Sequence, residues 1–240
     1  MTERTEPGVL ATALRHATFS SRMDGARLFA RHVLALLPTG EDRRVLEIGA
    51  GAGDVVLLIH EARPSAQLTG IDFAPANVAA AVQRTMGTGI AVVCADYLEW
   101  RDGAFDLIVA DSVLHLIDAP VAKVAAKLAA DLSPGGLVVA TVPDTTVLNR
   151  LHLVFRKIWR RMPAVADRLA LTLAVRLYSG MSREYLTDRL LYLRLQPRLF
   201  GVAEQQAFAA AGLVLSQNEM WPSPSLAKLR HRLMVWRGTR

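Results

Sequence analysis

The sequence has almost no cysteine, no apolar run long enough to cross a bilayer, and no paired metal ligands, and each shortage excludes something. One cysteine in 240 residues, Cys94, rules out an intramolecular disulfide framework. It falls inside an apolar run, so a small buried hydrophobe is expected there in place of a reactive thiol. Hydrophobic residues make up 52% of the chain and mean hydropathy is +0.25. Even so, no stretch reaches the roughly eighteen uninterrupted apolar residues of a spanning helix. The opening Met1-Thr2-Glu3-Arg4-Thr5-Glu6-Pro7 carries acids and no apolar core. It does not read as an export signal, and a cytoplasmic location is expected. No pair of His, Cys or carboxylates has metal-ligand spacing, so no metal is expected. Internal repeats and low-complexity linkers are absent as well. A mass of 26.2 kDa then fits a single α/β domain, residues 1–240, with a modest elaboration.

The most informative stretch is Val45-Leu46-Glu47-Ile48-Gly49-Ala50-Gly51-Ala52-Gly53-Asp54. Small and β-branched apolar residues lead into glycines at every second position, and the helix-compatible Val55–His60 follows. This reads as a buried strand, a tight turn and a helix start. Glycines there let the backbone pass close to a ligand, because a Cβ would fill the space. A dinucleotide site wants G-x-G-x-x-G, and its third glycine would fall where Asp54 stands. The pattern is instead E-x-G-x-G-x-G. With Glu47 and Asp54 beside it, the loop suits a cationic or zwitterionic nucleoside better than a pyrophosphate.

Apolar strand and helical patterns alternate from 44 to 142, which predicts βαβ units and a parallel sheet with ligands at the strands' carboxyl ends. Two helices are expected before it, over about 8–19 and 24–37, the second stopped by Pro38. After Pro143 the strand rhythm breaks. Helical spacing over 146–161, 164–178 and 182–195, interrupted by Pro163, Ser179-Gly180 and Pro197, predicts three inserted helices. A helix at about 202–211 and strands at 213–219 and 232–236 complete the chain. Residues 150–200 carry eleven Lys/Arg against three acids, a net +8 that leaves −2 for the remainder. That concentration reads as a solvated helix face, a site for an anionic acceptor, or a membrane-facing surface. Nucleic acid is disfavoured, since exposed aromatics interleaved with the basic residues are not expected and no recognisable module is present.

The glycine run and four later landmarks resemble the class I S-adenosylmethionine-dependent methyltransferases of small-molecule type. Leu68-Thr69-Gly70-Ile71-Asp72 resembles the second strand, ending in an acid nineteen residues beyond Gly53. Ile90–Tyr97 resembles the third, Phe105–Asp111 the fourth, and Leu132-Ser133-Pro134-Gly135-Gly136 the turn into the fifth. The resemblance, over residues 43–143, implies a Rossmann-like, doubly wound, mostly parallel seven-stranded sheet closed by an antiparallel hairpin. Residues 1–42 would be N-terminal helices, 43–143 the cofactor core, 144–200 a helical lid and 201–240 the closing helix and strands. S-adenosylmethionine is the implied cofactor, with S-adenosylhomocysteine as product. Its binding residues would be Glu47, Gly49, Ala50, Gly51 and Gly53, then Asp72 for the ribose hydroxyls with Phe73 beside it. Asp96 would lie near the adenine amino group with Tyr97 at the ring, and Asp111 would serve as a cofactor-side or capping group.

The family's nucleic-acid amino methyltransferases carry N/D-P-P-Y/F after the fourth strand, and this chain does not. It has Asp111-Ser112-Val113-Leu114-His115-Leu116, which resembles an S-x-L-H-H turn with Leu116 in place of the second histidine. His115 is the candidate base; its other reading is a helix-start histidine bonded to backbone. His16, His32, His60 and His231 carry no motif. Acceptor contacts are expected from Phe19, Arg22, His152 and Tyr178. The implied activity is methylation of a small or medium lipophilic metabolite, O-methylation first and C-methylation second, by a monomer or homodimer. Ala- and Arg-rich composition points to a bacterial source and to secondary-metabolite tailoring. The same landmarks would also serve a non-methylating cyclase that keeps the cofactor, and the Arg-rich helices would serve a peripheral membrane protein.

Overall fold

The computed structural model describes residues 23–37, 42–222 and 229–239. The helix expected over 8–19, together with Phe19 and Arg22, lies outside the described residues. Seven strands form one sheet: β1 Arg44–Ile48, β2 Gln67–Asp72, β3 Ala91–Cys94, β4 Phe105–Asp111, β5 Leu132–Pro143, β6 Leu213–Met220 and β7 His231–Gly238. Their order is β3-β2-β1-β4-β5-β7-β6. The first five run parallel, and β7 lies antiparallel between β5 and β6. The central strands are near-continuous apolar runs because both of their faces are covered. Helices α1 Met23–Leu36 and α2 Asp54–Ala62 bury Phe29, Val33, Val55 and Ile59 on one face. Helices α4 Val121–Asp131 and α8 Val202–Ala210 bury Val124, Leu128 and Phe208 with Trp236 on the other. Helix α3 Pro75–Arg84 connects β2 to β3.

Cys94 corrects an expectation: it is exposed, not buried. Strand β3 is the sheet edge, and neither of its faces is fully covered. A short apolar run shows that a strand exists, not how deep it lies.

The chain leaves the core at Asp144 and returns at Phe200, where the two residues form a parallel β-bridge. Between them lie α5 Val147–Arg161, α6 Ala164–Leu177 and α7 Arg183–Arg194. Helix α5 starts where the Asp144 carboxylate accepts hydrogen bonds from the Thr146 amide and hydroxyl, at 3.1 and 2.7 Å. Fully buried Asn149 fastens it: Nδ2 donates to the Asp144 and Arg230 carbonyls at 3.0 and 2.7 Å, and Oδ1 accepts from the Arg230 amide at 2.8 Å. Pro163 opens α6, and the Ser182 hydroxyl caps α7 by accepting from the Tyr185 amide. Arg194 ties the helices together through two bonds to Asp167, at 2.6 and 2.9 Å, and through the Arg160 and Met162 carbonyls. The basic character of this segment is therefore not only a solvated face, since Arg156 and Arg194 are buried inside it.

Candidate active site

The glycine loop follows β1 with Gly49, Gly51 and Gly53 at φ of 72°, 54° and 81°, a left-handed region that side chains resist. At Gly49 the protein itself enforces glycine: a Cβ would sit 2.3 Å from Val113 Cγ2. That contact sets the loop against the segment leaving β4. The Gly51 amide donates to Asp72 Oδ2 at 2.9 Å, so the carboxylate at the end of β2 fixes the loop's height. Asp72 is buried and also accepts from the Ala74 amide at 2.8 Å and from Asn77 at 3.3 Å. Ala50 is buried beside it, and Phe73 stands half exposed at the next position.

Asp96 is exposed beyond the end of β3 and turns its own loop by accepting from the Leu98 amide at 2.8 Å. Asp111, at the end of β4, accepts from the Thr141 hydroxyl at 2.5 Å and from Ser112 Oγ at 3.2 Å. Carboxylates thus stand at or just beyond the carboxyl ends of β2, β3 and β4, and Asp72 among them contacts the glycine loop. Two expected contacts are otherwise engaged. Glu47 is buried beneath the loop, where it accepts from the Val56 amide at 3.1 Å and holds the first turn of α2. Burial, and then Asp111, push its carboxyl well above the usual carboxylate range. The Tyr97 ring is in the core under the Lys127 ammonium, 4.8 Å from its centroid, and does not face the loop. Asp54, the acid in the third-glycine position, is ion-paired with Arg84 at 2.5 Å.

Beyond β4, Ser112 takes φ 60°, which is uncommon for serine, and its amide bonds Thr141 Oγ1 at 2.8 Å. A short 3-10 turn, Leu114–Leu116, then buries His115 to 2% exposure. Among the described residues, neither ring nitrogen of His115 has a hydrogen-bond partner. Its ring lies edge-on to His231, centroids 5.4 Å apart. Burial first, then the neighbouring His231 and Arg156, hold the His115 pKa well below the ordinary imidazole value. The imidazole is therefore neutral at pH 7.

Arg156 approaches from the inner face of α5, with Nη1 donating to the Tyr192 carbonyl at 3.0 Å and the guanidinium 4.6 Å from the centre of that ring. His152, one turn earlier, is partly buried with its pKa lowered by burial and by Arg156. Tyr178 is not brought here; it stands 54% exposed at the end of α6. His231, which carries no motif, is brought here by the pairing of Pro143 with His231 across β5 and β7. Ser112 and Thr141 also escaped sequence reading, and only the serine's place in the S-x-L-H turn hinted at them. A cavity of about 490 Å3 lined by Arg101, Lys123 and Lys127 includes neither the glycine loop nor His115.

Residues 45–136 match the family model described as a methyltransferase domain. A malonyl-[acyl-carrier protein] O-methyltransferase of Anoxybacillus flavithermus is 33% identical over 141 residues, which is 58% of this chain and 54% of that protein. A trans-aconitate 2-methyltransferase of Acidovorax sp. is 31% identical over 156 residues, 62% of this chain and 59% of that protein. The chain spans little more than half the length of these curated relatives. In fold it is similar to the N-methyltransferase NodS from Bradyrhizobium japonicum, solved with S-adenosyl-L-homocysteine. There the TM-score is 0.57 at 19% identity, covering 89% of this chain and 87% of that one.

Proposed function

We propose, from the premise that residues 45–136 form a class I S-adenosylmethionine-dependent methyltransferase domain, that this chain O-methylates a carboxylate on a small or medium lipophilic metabolite. The observation that carries the acceptor chemistry is His115. A base is needed only where the accepting atom holds a proton at neutral pH, as a phenol does. An imidazole whose pKa lies well below its ordinary value is a poor match for that task. A carboxylate is already ionised and asks only to be aligned and kept dry. The acceptors in the two relatives' names, malonyl-[acyl-carrier protein] and trans-aconitate, each carry a free carboxylate.

The cofactor supplies a methyl group on a positively charged sulfur, already activated for in-line displacement. The backbone of Gly49–Gly53 would lie along it, Asp72 would take its ribose hydroxyls, Asp96 would stand near the adenine, and Asp111 would complete the acidic rim. Neutral His115 would donate a hydrogen bond to one acceptor oxygen while the other attacks. Because the acceptor would arrive ionised, the chain would have no proton to remove, and His115 would only orient it. The inserted helices would cover the acceptor and exclude water. This reading carries with it a cytoplasmic bacterial enzyme of secondary-metabolite tailoring, which the Ala- and Arg-rich composition supports.

The test is product mass. Purified protein with S-adenosylmethionine and a panel of aliphatic and aromatic acids should yield an acid increased by one methyl group and hydrolysed by mild alkali. An unchanged product mass with consumed substrate would instead identify a cyclase on the same fold, and a base-stable methyl would move the transfer to carbon.

A further inference from the structure

The inserted helices hold two buried arginines, and their surroundings differ. Arg194 is 6% exposed and is matched by the Asp167 carboxylate at 2.6 Å. Arg156 is 3% exposed, and among the described residues no carboxylate lies within ion-pair distance of it. Its partners are the Tyr192 and Leu195 carbonyls and the Tyr192 ring. A guanidinium stays protonated in proteins, so burying one without a counter-ion is unfavourable unless something anionic arrives. The groups facing it, His115 and His152, are held neutral by burial and by Arg156 itself. Among the described residues His115 has no partner for either of its two buried nitrogens, and His152 has none for Nδ1. The acids of the site, Asp72, Asp96 and Asp111, all stand at strand ends on the glycine-loop side.

We infer that Arg156 and His115 form an anion site for the acceptor's carboxylate, with His152 as a specificity residue beside it. Arg156 supplies the charge, His115 the neutral donor. This rests on the carboxylate reading above and adds the residue that supplies the counter-charge. The site is divided electrostatically, acids toward the sulfonium and one uncompensated cation toward the acceptor. Calorimetry with the full chain and saturating S-adenosylhomocysteine tests it, using octanoate and adipate against octanamide and adipamide. Each acid should bind at least tenfold tighter than its amide. Arg156→Gln should erase that preference while keeping the affinity for S-adenosylhomocysteine, at a lower Tm because its bonds to the Tyr192 and Leu195 carbonyls are lost. Equal binding of acid and amide, failure of both acids to bind at millimolar concentration, or a preference that survives Arg156→Gln would each overturn the inference. A wild-type chain that does not bind S-adenosylhomocysteine would overturn the methyltransferase reading instead.

A different observation concerns the outer face of α5. At 100° per residue, Val147, Leu151, Val154, Phe155 and Ile158 fall in one sector about 100° wide. All five are exposed, between 45% and 73%. Arg150, Lys157 and Arg161 line one flank of that sector and are exposed too. A second copy would bring these like charges together, whereas an anionic bilayer complements them. No helix among the described residues is long and apolar enough to span a membrane, so α5 would lie on the surface. We propose that this face docks the protein on anionic lipid. Co-sedimentation with vesicles of phosphatidylglycerol and phosphatidylcholine should exceed that with phosphatidylcholine alone by at least tenfold and weaken in high salt. Leu151→Asp/Phe155→Asp should abolish it without changing S-adenosylhomocysteine affinity. Absence of lipid binding, or a soluble dimer that the same double variant dissociates, would overturn the proposal.

Discussion

Replacing His115 by leucine should stabilise the protein and disable it together. The side chain is 2% exposed, and both ring nitrogens lack a partner among the described residues. Each buried polar group left unsatisfied costs about 1–3 kcal/mol. Leucine is close in size and removes both groups, but an imperfect fit takes part of the gain back, leaving about 1 kcal/mol. For a chain of this length that is a rise in Tm of roughly 2–4 °C. The loss in transfer follows from the hydrogen bond removed. A bond to a charged oxygen contributes about 1.5–3 kcal/mol. That predicts a fall of roughly 10- to 150-fold in kcat/KM, with unchanged affinity for S-adenosylhomocysteine. The pH dependence has a definite sign. The native His115 pKa is lowered, so below the unfolded value of about 6.5 the unfolded chain takes up a proton that the native chain refuses. Wild-type stability should therefore decline as pH falls below that value, and the leucine variant should lack this share of the decline. Scanning fluorimetry from pH 5 to 8 and a tritiated-methyl transfer assay read both effects. A variant with Tm several degrees lower and normal turnover would refute the reasoning, for the ring would then be packing alone.

Three further outcomes follow from the site's construction. Asp72→Asn should weaken S-adenosylhomocysteine binding at least tenfold by calorimetry, since it keeps the side chain's shape and loses its charge; unchanged affinity would remove Asp72 from the site. Gly49→Ala should destabilise by about 2 kcal/mol or more, combining left-handed strain with the Val113 clash; Val113→Ala should recover only the clash, which a denaturant double-mutant cycle measures. Limited trypsin digestion should cut first at Arg168 or Arg176, because α6 buries none of its side chains while α5 is fastened by Asn149 and Arg156; a first cut within α5, identified by fragment mass, would contradict that anchoring.

The sheet was legible because its information is local. Each central strand is an apolar run bounded by a turn signal, and the acids that end β2 and β4 sit beside those signals. The observed bounds of β4, Phe105–Asp111, coincide with the run read from the sequence. What escaped depends on residues far apart in the chain. His231 meets His115 only because β7 inserts beside β5, and Asn149 finds Arg230 across 81 residues. Direction was also hidden. Glu47, Tyr97 and Cys94 lie on or beside strands that were correctly placed, yet which way each side chain turns depends on which face is covered, and the runs around them carry no alternation that would tell.

The bridge between Asp144 and Phe200 has a consequence for how such a protein changes over generations. The chain departs and re-enters at adjacent points, so the segment between can be lengthened, shortened or exchanged without rethreading the sheet or moving the glycine loop. The closure cost of a longer excursion grows only logarithmically. On the proposed reading, the share of the acceptor surface that the inserted helices supply is thereby uncoupled from the glycine loop. Grafting a relative's segment between these two residues should transfer acceptor preference as a unit, with Asn149 and Arg230 as the seam to be preserved.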